Sequence, residues 1–191
     1  GKVVARYQQF FGIRALLERI NQRKPDGGRE GGVVWHTTGS GKSFTMVFLT
    51  KALVLHQNTQ ACRVVVVTDR LDLEDQLARN FMNSGAFGSA VATKKDGEKA
   101  KVGSGRELAK RIGQGSERII FTLIHKFATA SKLPECYNSS ADMIVLVDEG
   151  HRSHGGETHE RMRKALPRAA YVAFTGTPLL KKDKTANKFG P

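Results

Sequence analysis

Only two cysteines occur in the 191 residues, Cys62 and Cys136, and they stand far apart with no C-x-x-C spacing. That excludes a zinc ribbon and a disulfide framework, predicts both thiols as core residues and makes a reducing cytoplasm the simpler setting. Long hydrophobic runs are missing as well. No window approaches about 18 consecutive apolar residues, and the start, Gly1-Lys2-Val3-Val4-Ala5-Arg6, lacks the apolar region of a signal peptide. A soluble cytoplasmic protein with no membrane association is expected. Acid is scarce: 18 Asp and Glu stand against 31 Lys and Arg, a formal charge of +13. That balance suits a polyanion such as nucleic acid, although a merely well-solvated surface has the same signature.

Metal-site spacing is lacking too. His151, His154 and His159 lie close in sequence, but His159-Glu160 is followed by Arg-Met-Arg, so no H-E-x-x-H is formed. His151 is expected to link a neighbouring carboxylate loop to its surroundings, and the other two histidines are expected to be exposed. An initiating Met is absent and the sequence stops at Phe189-Gly190-Pro191 in mid-composition, which predicts a piece of something longer. The length still suffices for one domain, which at this size buries roughly 70% of the surface of its unfolded chain.

What the chain does have is a phosphate-binding pattern, His36-Thr37-Thr38-Gly39-Ser40-Gly41-Lys42-Ser43, between an apolar strand-like run and a helical one. Small Gly39, Ser40 and Gly41 let successive backbone N–H groups converge on a phosphate. Lys42 neutralises it, and the Ser43 hydroxyl can hold Mg²⁺. The strict pattern asks for glycine where His36 stands; the part that touches phosphate is intact. A helix terminus is worth about 0.3 to 1 kcal/mol, against roughly 4 kcal/mol for a unit-charge pair at 4 Å and an effective dielectric near 20, so Lys42 and the metal dominate.

Around this pattern, strands and helices alternate. Residues 7–20 read as an amphipathic helix with Phe10, Phe11, Ala15, Leu16 and Ile20 on its apolar face, and 24–32 as a mobile Gly-rich connection. Strands are predicted at 33–35, 64–68, 119–122, 144–147 and 171–174. Helices are predicted at 43–56 (buried), 71–82, 124–130 and 157–166. Residues 83–106 read as an exposed polar insertion. Short all-apolar strands separated by helices predict a mostly parallel sheet in a three-layer α/β domain.

In such sheets ligands bind beyond the carboxyl ends of the strands. Ile144-Val145-Leu146-Val147 delivers Asp148-Glu149-Gly150-His151 there: Asp148 can hold Mg²⁺ and Glu149 can accept the proton of an attacking water. Phe174-Thr175-Gly176-Thr177-Pro178 is a second such loop, whose hydroxyls can sense a γ-phosphate. At Thr68-Asp69-Arg70, Arg70 can meet a nucleic-acid phosphate, or Asp69 simply caps a helix.

Taken together, Arg6-Tyr7-Gln8-Gln9, Trp35 to Ser43, Val67-Thr68-Asp69-Arg70, Thr122 to Phe127, Asp148-Glu149-Gly150-His151-Arg152-Ser153 and Thr175-Gly176-Thr177-Pro178 resemble superfamily 2 DNA translocases. The set is similar, more narrowly, to the motor region of the HsdR restriction subunits of type I restriction-modification enzymes, with DEGH in place of the commoner DEAH. The resemblance implies a RecA-like P-loop NTPase domain over 33–191, preceded over 1–32 by a helix and connection carrying an adenine-contact motif. It implies ATP and Mg²⁺ as cofactors and duplex DNA as the track. Gln9, or Gln8, reads adenine; Thr38, Gly39, Ser40, Gly41, Lys42 and Ser43 hold phosphates; Ser43 and Asp148 serve the metal; Glu149 activates water. Arg70, His151, Thr175, Gly176 and Thr177 couple nucleotide to DNA. A second RecA-like domain is implied, supplying an arginine finger of the kind worth about 10³ to 10⁵ in rate. Methylase and specificity subunits are implied as partners, and the chain alone is expected to hydrolyse ATP poorly. The alternatives are another superfamily 2 helicase or remodelling-type ATPase, or a non-catalytic nucleic-acid-binding module.

Overall fold

Among the described residues, five β-strands, all paired in parallel, are flanked by helices on both faces. The computed structural model describes residues 5–36, 41–69, 75, 78–80, 82, 101–148 and 155–176. In chain order the elements are α1 (Tyr7–Asn21), β1 (Gly32–Trp35), α2 (Lys42–Leu55), β2 (Arg63–Thr68), α3 (Gly105–Gln114), β3 (Ile119–Leu123), α4 (Ile124–Ala130), β4 (Met143–Asp148), α5 (Gly155–Ala165) and β5 (Ala170–Thr175). The strand order is β1-β5-β4-β2-β3.

Alternation along the strands separates two cores. Val64, Val66, Phe121, Ile144, Leu146, Val172 and Phe174 face one side, where they meet Ile13, Leu16 and Ile20 of α1 and Met46, Leu49 and Leu53 of α2. Val65, Val67, Ile120, Val145, Val147 and Ala173 face the other, against Leu108 and Ile112 of α3, Phe127 of α4 and Met162 of α5. Every residue of β3, β4 and β5 is buried, which is why these strands read as continuous apolar runs rather than alternating ones.

Four expectations are corrected. On α1 the buried residues are Gln9, Ile13, Leu16 and Ile20, spaced four, three and four apart on one stripe, whereas Phe10 and Phe11 are 52% and 46% exposed. The connection at 24–32 is pinned: Arg29 is buried and donates to the carbonyls of Ile20, Asn58 and Ala141 and to Asp142. At Gly31 a Cβ would stand 2.1 Å from the Tyr171 carbonyl oxygen, so only glycine lets this segment approach β5.

The end of the expected insertion is built into the sheet and core. Lys101 bridges Phe121 in parallel, Val102 is buried, and α3 begins at Gly105. Residues 83–100 lie outside the described residues. Finally, His159 is buried, not exposed, because it shares the inward stripe of α5 with Met162, one turn further along the helix; His154 lies outside the described residues.

Most of the helix expected at 71–82 lies outside the described residues; within it, residues 75, 78–80 and 82 are helical. Both cysteines are free and buried, as their sequence context implied. Among the described residues, no helix is long and apolar enough to cross a membrane.

Candidate nucleotide site

Three strands end side by side. The parallel register pairs Trp35 of β1 with Thr175 of β5 and Asp148 of β4 with Phe174 of β5, so the loops that follow these strands leave from one edge. β1 and β2 are consecutive in sequence but separated by β5 and β4 in the sheet. Such a jump is where ligands settle in open parallel sheets.

The edge is tied together by the backbone. His36 N–H donates to the Thr175 carbonyl at 2.8 Å, fixing the exit of β1 against the exit of β5. Trp35 Nε1–H reaches the Gly176 carbonyl at 3.4 Å. Gly41 adopts a left-handed φ of +88°, a conformation suited to glycine, and turns the chain into α2. Lys42 and Ser43 are then the first two residues of that helix, whose first turn contains no acidic residue. Its N-terminal dipole therefore adds to the lysine charge.

Across the edge, Lys42 Nζ lies 3.0 Å from Asp148 Oδ1. Asp148 is 4% exposed at the end of β4. The fold thus brings together a cation, a helix N-terminus, a hydroxyl-bearing residue and a carboxylate from positions 106 residues apart in the sequence. A serine hydroxyl and carboxylate oxygens are hard donors of the kind magnesium prefers, and a lysine beside them suits a phosphate. The residues present fit a magnesium-bound phosphate group.

Beside this edge, a cleft of about 520 Å³ is lined by Arg6, Gln8, Gln9, Gly12, Val34, Trp35, His36 and Thr45. That volume is in the range of small-molecule pockets, roughly 300 to 1,000 Å³. Gln9 is buried and bonded in three directions: its Oε1 accepts Arg6 N–H at 2.8 Å, and its Nε2 donates to Thr45 Oγ1 at 3.0 Å and to the Gly41 carbonyl at 3.3 Å. Gln8, the other glutamine of the motif, is exposed. Burial, followed by the positive charge of Lys42, pulls the His36 pKa below that of a free imidazole.

Among the expected site residues, Gln9, Gly41, Lys42, Ser43, Asp148, Thr175 and Gly176 are described and stand along this edge or its adjoining cleft. Thr38, Gly39, Ser40, Arg70, Glu149, His151 and Thr177 lie outside the described residues. Thr45 and His36 as cleft-lining residues, and α3 behind the sheet, were missed in the sequence reading. A signal for α3 existed: Ser104-x-x-Glu107 is a capping pattern, and Ser104 Oγ accepts Glu107 N–H at 3.1 Å. No sequence rule singles out Thr45, a threonine inside an apolar helix.

Comparison with known proteins gives this edge a context. The SWI2/SNF2 ATPase family model matches residues 8–191. The chain belongs to the SWI2/SNF2 ATPase family. Among individual relatives, a Methanocaldococcus jannaschii protein named as the MjaIXP type I restriction enzyme endonuclease subunit is 36% identical over 192 residues, covering 96% of this chain and 17% of the relative. The HindI type I restriction enzyme endonuclease subunit of Haemophilus influenzae is 34% identical over 206 residues, covering 99% of this chain and 19% of the relative. This family member therefore spans less than a fifth of the length of these type I restriction (HsdR) subunits.

Among solved structures, the Pyrococcus furiosus Hef helicase domain superposes with a TM-score of 0.67 at 14% identity, over 97% of this chain and 37% of that one. A nuclease-deletion mutant of the Type ISP restriction-modification enzyme LlaGI, in complex with a DNA substrate mimic, gives 0.63 at 14% identity, over 96% and 19%. The fold is that of a RecA-like helicase domain.

Proposed function

We propose that this chain is the first RecA-like motor domain of a type I restriction subunit, binding Mg-ATP and coupling its hydrolysis to movement along duplex DNA. The observation that carries the reading is the 3.0 Å approach of Lys42 Nζ to Asp148 Oδ1 at the shared strand edge. The type I restriction names of the relatives and the family membership support it.

In this reading the backbone of Thr38 to Gly41 cradles phosphates and Lys42 neutralises them. Ser43 and Asp148 hold the magnesium ion, while Gln9 faces the base from the wall of the cleft. Bound Mg-ATP supplies the phosphoanhydride bond to be broken and a dication to offset its charge. Glu149, one residue beyond Asp148, accepts the proton of the water that attacks. Arg70, His151 and Thr175 to Thr177 connect the nucleotide edge to DNA. A second RecA-like domain adds the arginine that completes the site, and methylase and specificity subunits complete the assembly. The formal charge of +13 suits a DNA track.

The test separates binding from chemistry. Lys42→Ala is expected to abolish Mg-ATP binding by calorimetry. Glu149→Gln is expected to keep binding and lose phosphate release. Stimulation of turnover by duplex DNA supports the translocase reading, and stimulation by RNA alone points to a helicase of another kind. Unchanged ATP binding in Lys42→Ala overturns the site.

A further inference from the structure

The wall between the cleft and the start of α2 is a small hydrogen-bonded knot. The Gly41 carbonyl receives three donors: Thr45 N–H at 3.0 Å, Thr45 Oγ1 at 3.3 Å and Gln9 Nε2 at 3.3 Å. Gln9 Nε2 also donates to Thr45 Oγ1 at 3.0 Å. Thr45 is 1% exposed and Gln9 5% exposed, so these are interior bonds. A carbonyl oxygen has two lone pairs, so three donors compete at Gly41, and the two at 3.3 Å are the ones that give way.

Both N–H bonds of the Gln9 amide thus point inward, to Gly41 and Thr45, while the residue itself lines the cleft. A ligand that accepts a hydrogen bond from that amide must draw it away from one of them. Gly41 precedes Lys42 and holds the left-handed turn that aims the lysine.

Resting on the nucleotide-site reading above, we propose that Thr45 is a positioning residue: through its hydroxyl, occupancy of the Gln9 cleft by a nucleotide base is relayed to the Gly41 carbonyl, and so to the set of Lys42. Thr45 touches neither phosphate nor metal in this account. Its hydroxyl accepts from Gln9 and donates to Gly41, which keeps the glutamine and the turn in a single arrangement. The consequence is that the base strengthens the grip on the triphosphate beyond what its own contacts contribute.

The experiment compares Mg-ATP with Mg-tripolyphosphate, which has the phosphates and no base. Affinities are measured by calorimetry on the purified protein and on Thr45→Val, Thr45→Ser, Gln9→Ala and the double variant Gln9→Ala/Thr45→Val. Thr45→Val keeps the shape and removes the hydroxyl. It is expected to lower the ATP-to-tripolyphosphate affinity ratio roughly 3- to 10-fold, the scale of one neutral hydrogen bond, with tripolyphosphate affinity unchanged. Thr45→Ser is expected to retain the ratio. Adding Thr45→Val to Gln9→Ala is expected to lower it no further, because the two side chains act as one unit. Where valine is not tolerated, Thr45→Ala serves the same comparison.

Equal weakening of ATP and tripolyphosphate by Thr45→Val overturns the relay and leaves Thr45 a packing residue of α2. Additive effects of the two substitutions, or a serine variant that behaves like valine, overturn it too. Failure of the unsubstituted protein to bind either probe overturns the nucleotide-site reading itself, and the relay falls with it.

Discussion

Lys42 Nζ and Asp148 Oδ1 stand 3.0 Å apart, one at the first residue of α2 and the other at the last residue of β4. The pair is asymmetric: the lysine side chain keeps 20% of its exposure, the aspartate side chain 3%. Removing the cation therefore leaves a carboxylate in the interior with less to offset its charge. Lys42→Ala should destabilise the fold toward the lower end of the roughly 3 to 5 kcal/mol seen when one partner of a buried pair is deleted. Adding Asp148→Asn to that variant should recover part of the loss. Urea unfolding of the two single variants and the double gives the coupling; strict additivity would show that the ions do not sense each other.

His36 supplies a pH dependence. Burial, and then the positive charge of Lys42, hold its pKa below the ordinary imidazole value of 6.5. In the unfolded chain the imidazole takes up its proton near that value; in the folded chain it does so only at lower pH. Stability contributed by the neutral ring is complete above about pH 6.5 and falls as pH drops from there toward the folded pKa. His36→Asn should flatten this part of the stability profile. Thermal melts of both proteins between pH 5 and 8 would check it, and parallel profiles would count against the assignment.

Arg29 holds the opposite end of the molecule. Its guanidinium donates to the carbonyls of Ala141, Ile20 and Asn58 at 2.9, 3.2 and 3.1 Å and to Asp142 Oδ1 at 2.9 Å, joining α1, the connection after it, the turn that follows α2 and the turn that precedes β4. The planar fork satisfies four acceptors that a single ammonium cannot reach together. Arg29→Met should cost about 3 kcal/mol or more, the scale for buried acceptors stripped of a charged donor, and Arg29→Lys should recover little of it. Chemical denaturation measures both. A lysine variant as stable as the parent would show that charge alone suffices.

Much of this architecture could be read from residue order, because the informative patterns are local. Apolar runs bounded by turns gave all five strands within two residues, and the Gly39-x-Gly41-Lys42-Ser43 pattern placed the turn into α2. The acidic residue at the end of β4 was legible for the same reason: four apolar residues deliver Asp148 to the edge. What escaped notice depends on neighbours distant in sequence. Phe10 and Phe11 look like core residues, yet the stripe through Gln9, Ile13, Leu16 and Ile20 is the one that meets α2 and the sheet. A glutamine at the head of that stripe breaks the apolar pattern and hides the true face. The connection at 24–32 has the composition of a mobile loop, and only the carbonyls gathered around Arg29 reveal that it is fixed. Thr45 has no motif of its own; its role emerges only where Gln9 and Gly41 converge on it.

The two cysteines give the last test, one that depends on packing rather than on the nucleotide edge. Cys62 lies before β2 among residues of the α1 and α2 face, and Cys136 lies on the opposite face near Phe127 and Ile112. Burial pushes both thiols up to about 11 from the ordinary thiol value of 9.0. At Cys62 the nearby positive charge of Arg29 opposes the rise and the carboxylate of Asp142 adds to it. The nucleophile is the thiolate, so at pH 8 both residues should be inert to iodoacetamide in the folded protein and react only as fast as the chain opens. The raised values also fix a sign: the stability linked to the protonated thiols is present below pH 9 and is lost as pH rises toward 11, because the unfolded chain releases those protons first. Labelling rates that follow the global unfolding free energy across a urea series would agree with two core thiols. Rapid labelling of Cys136 alone would show instead that the α3 and α4 face opens independently of the other half of the sheet.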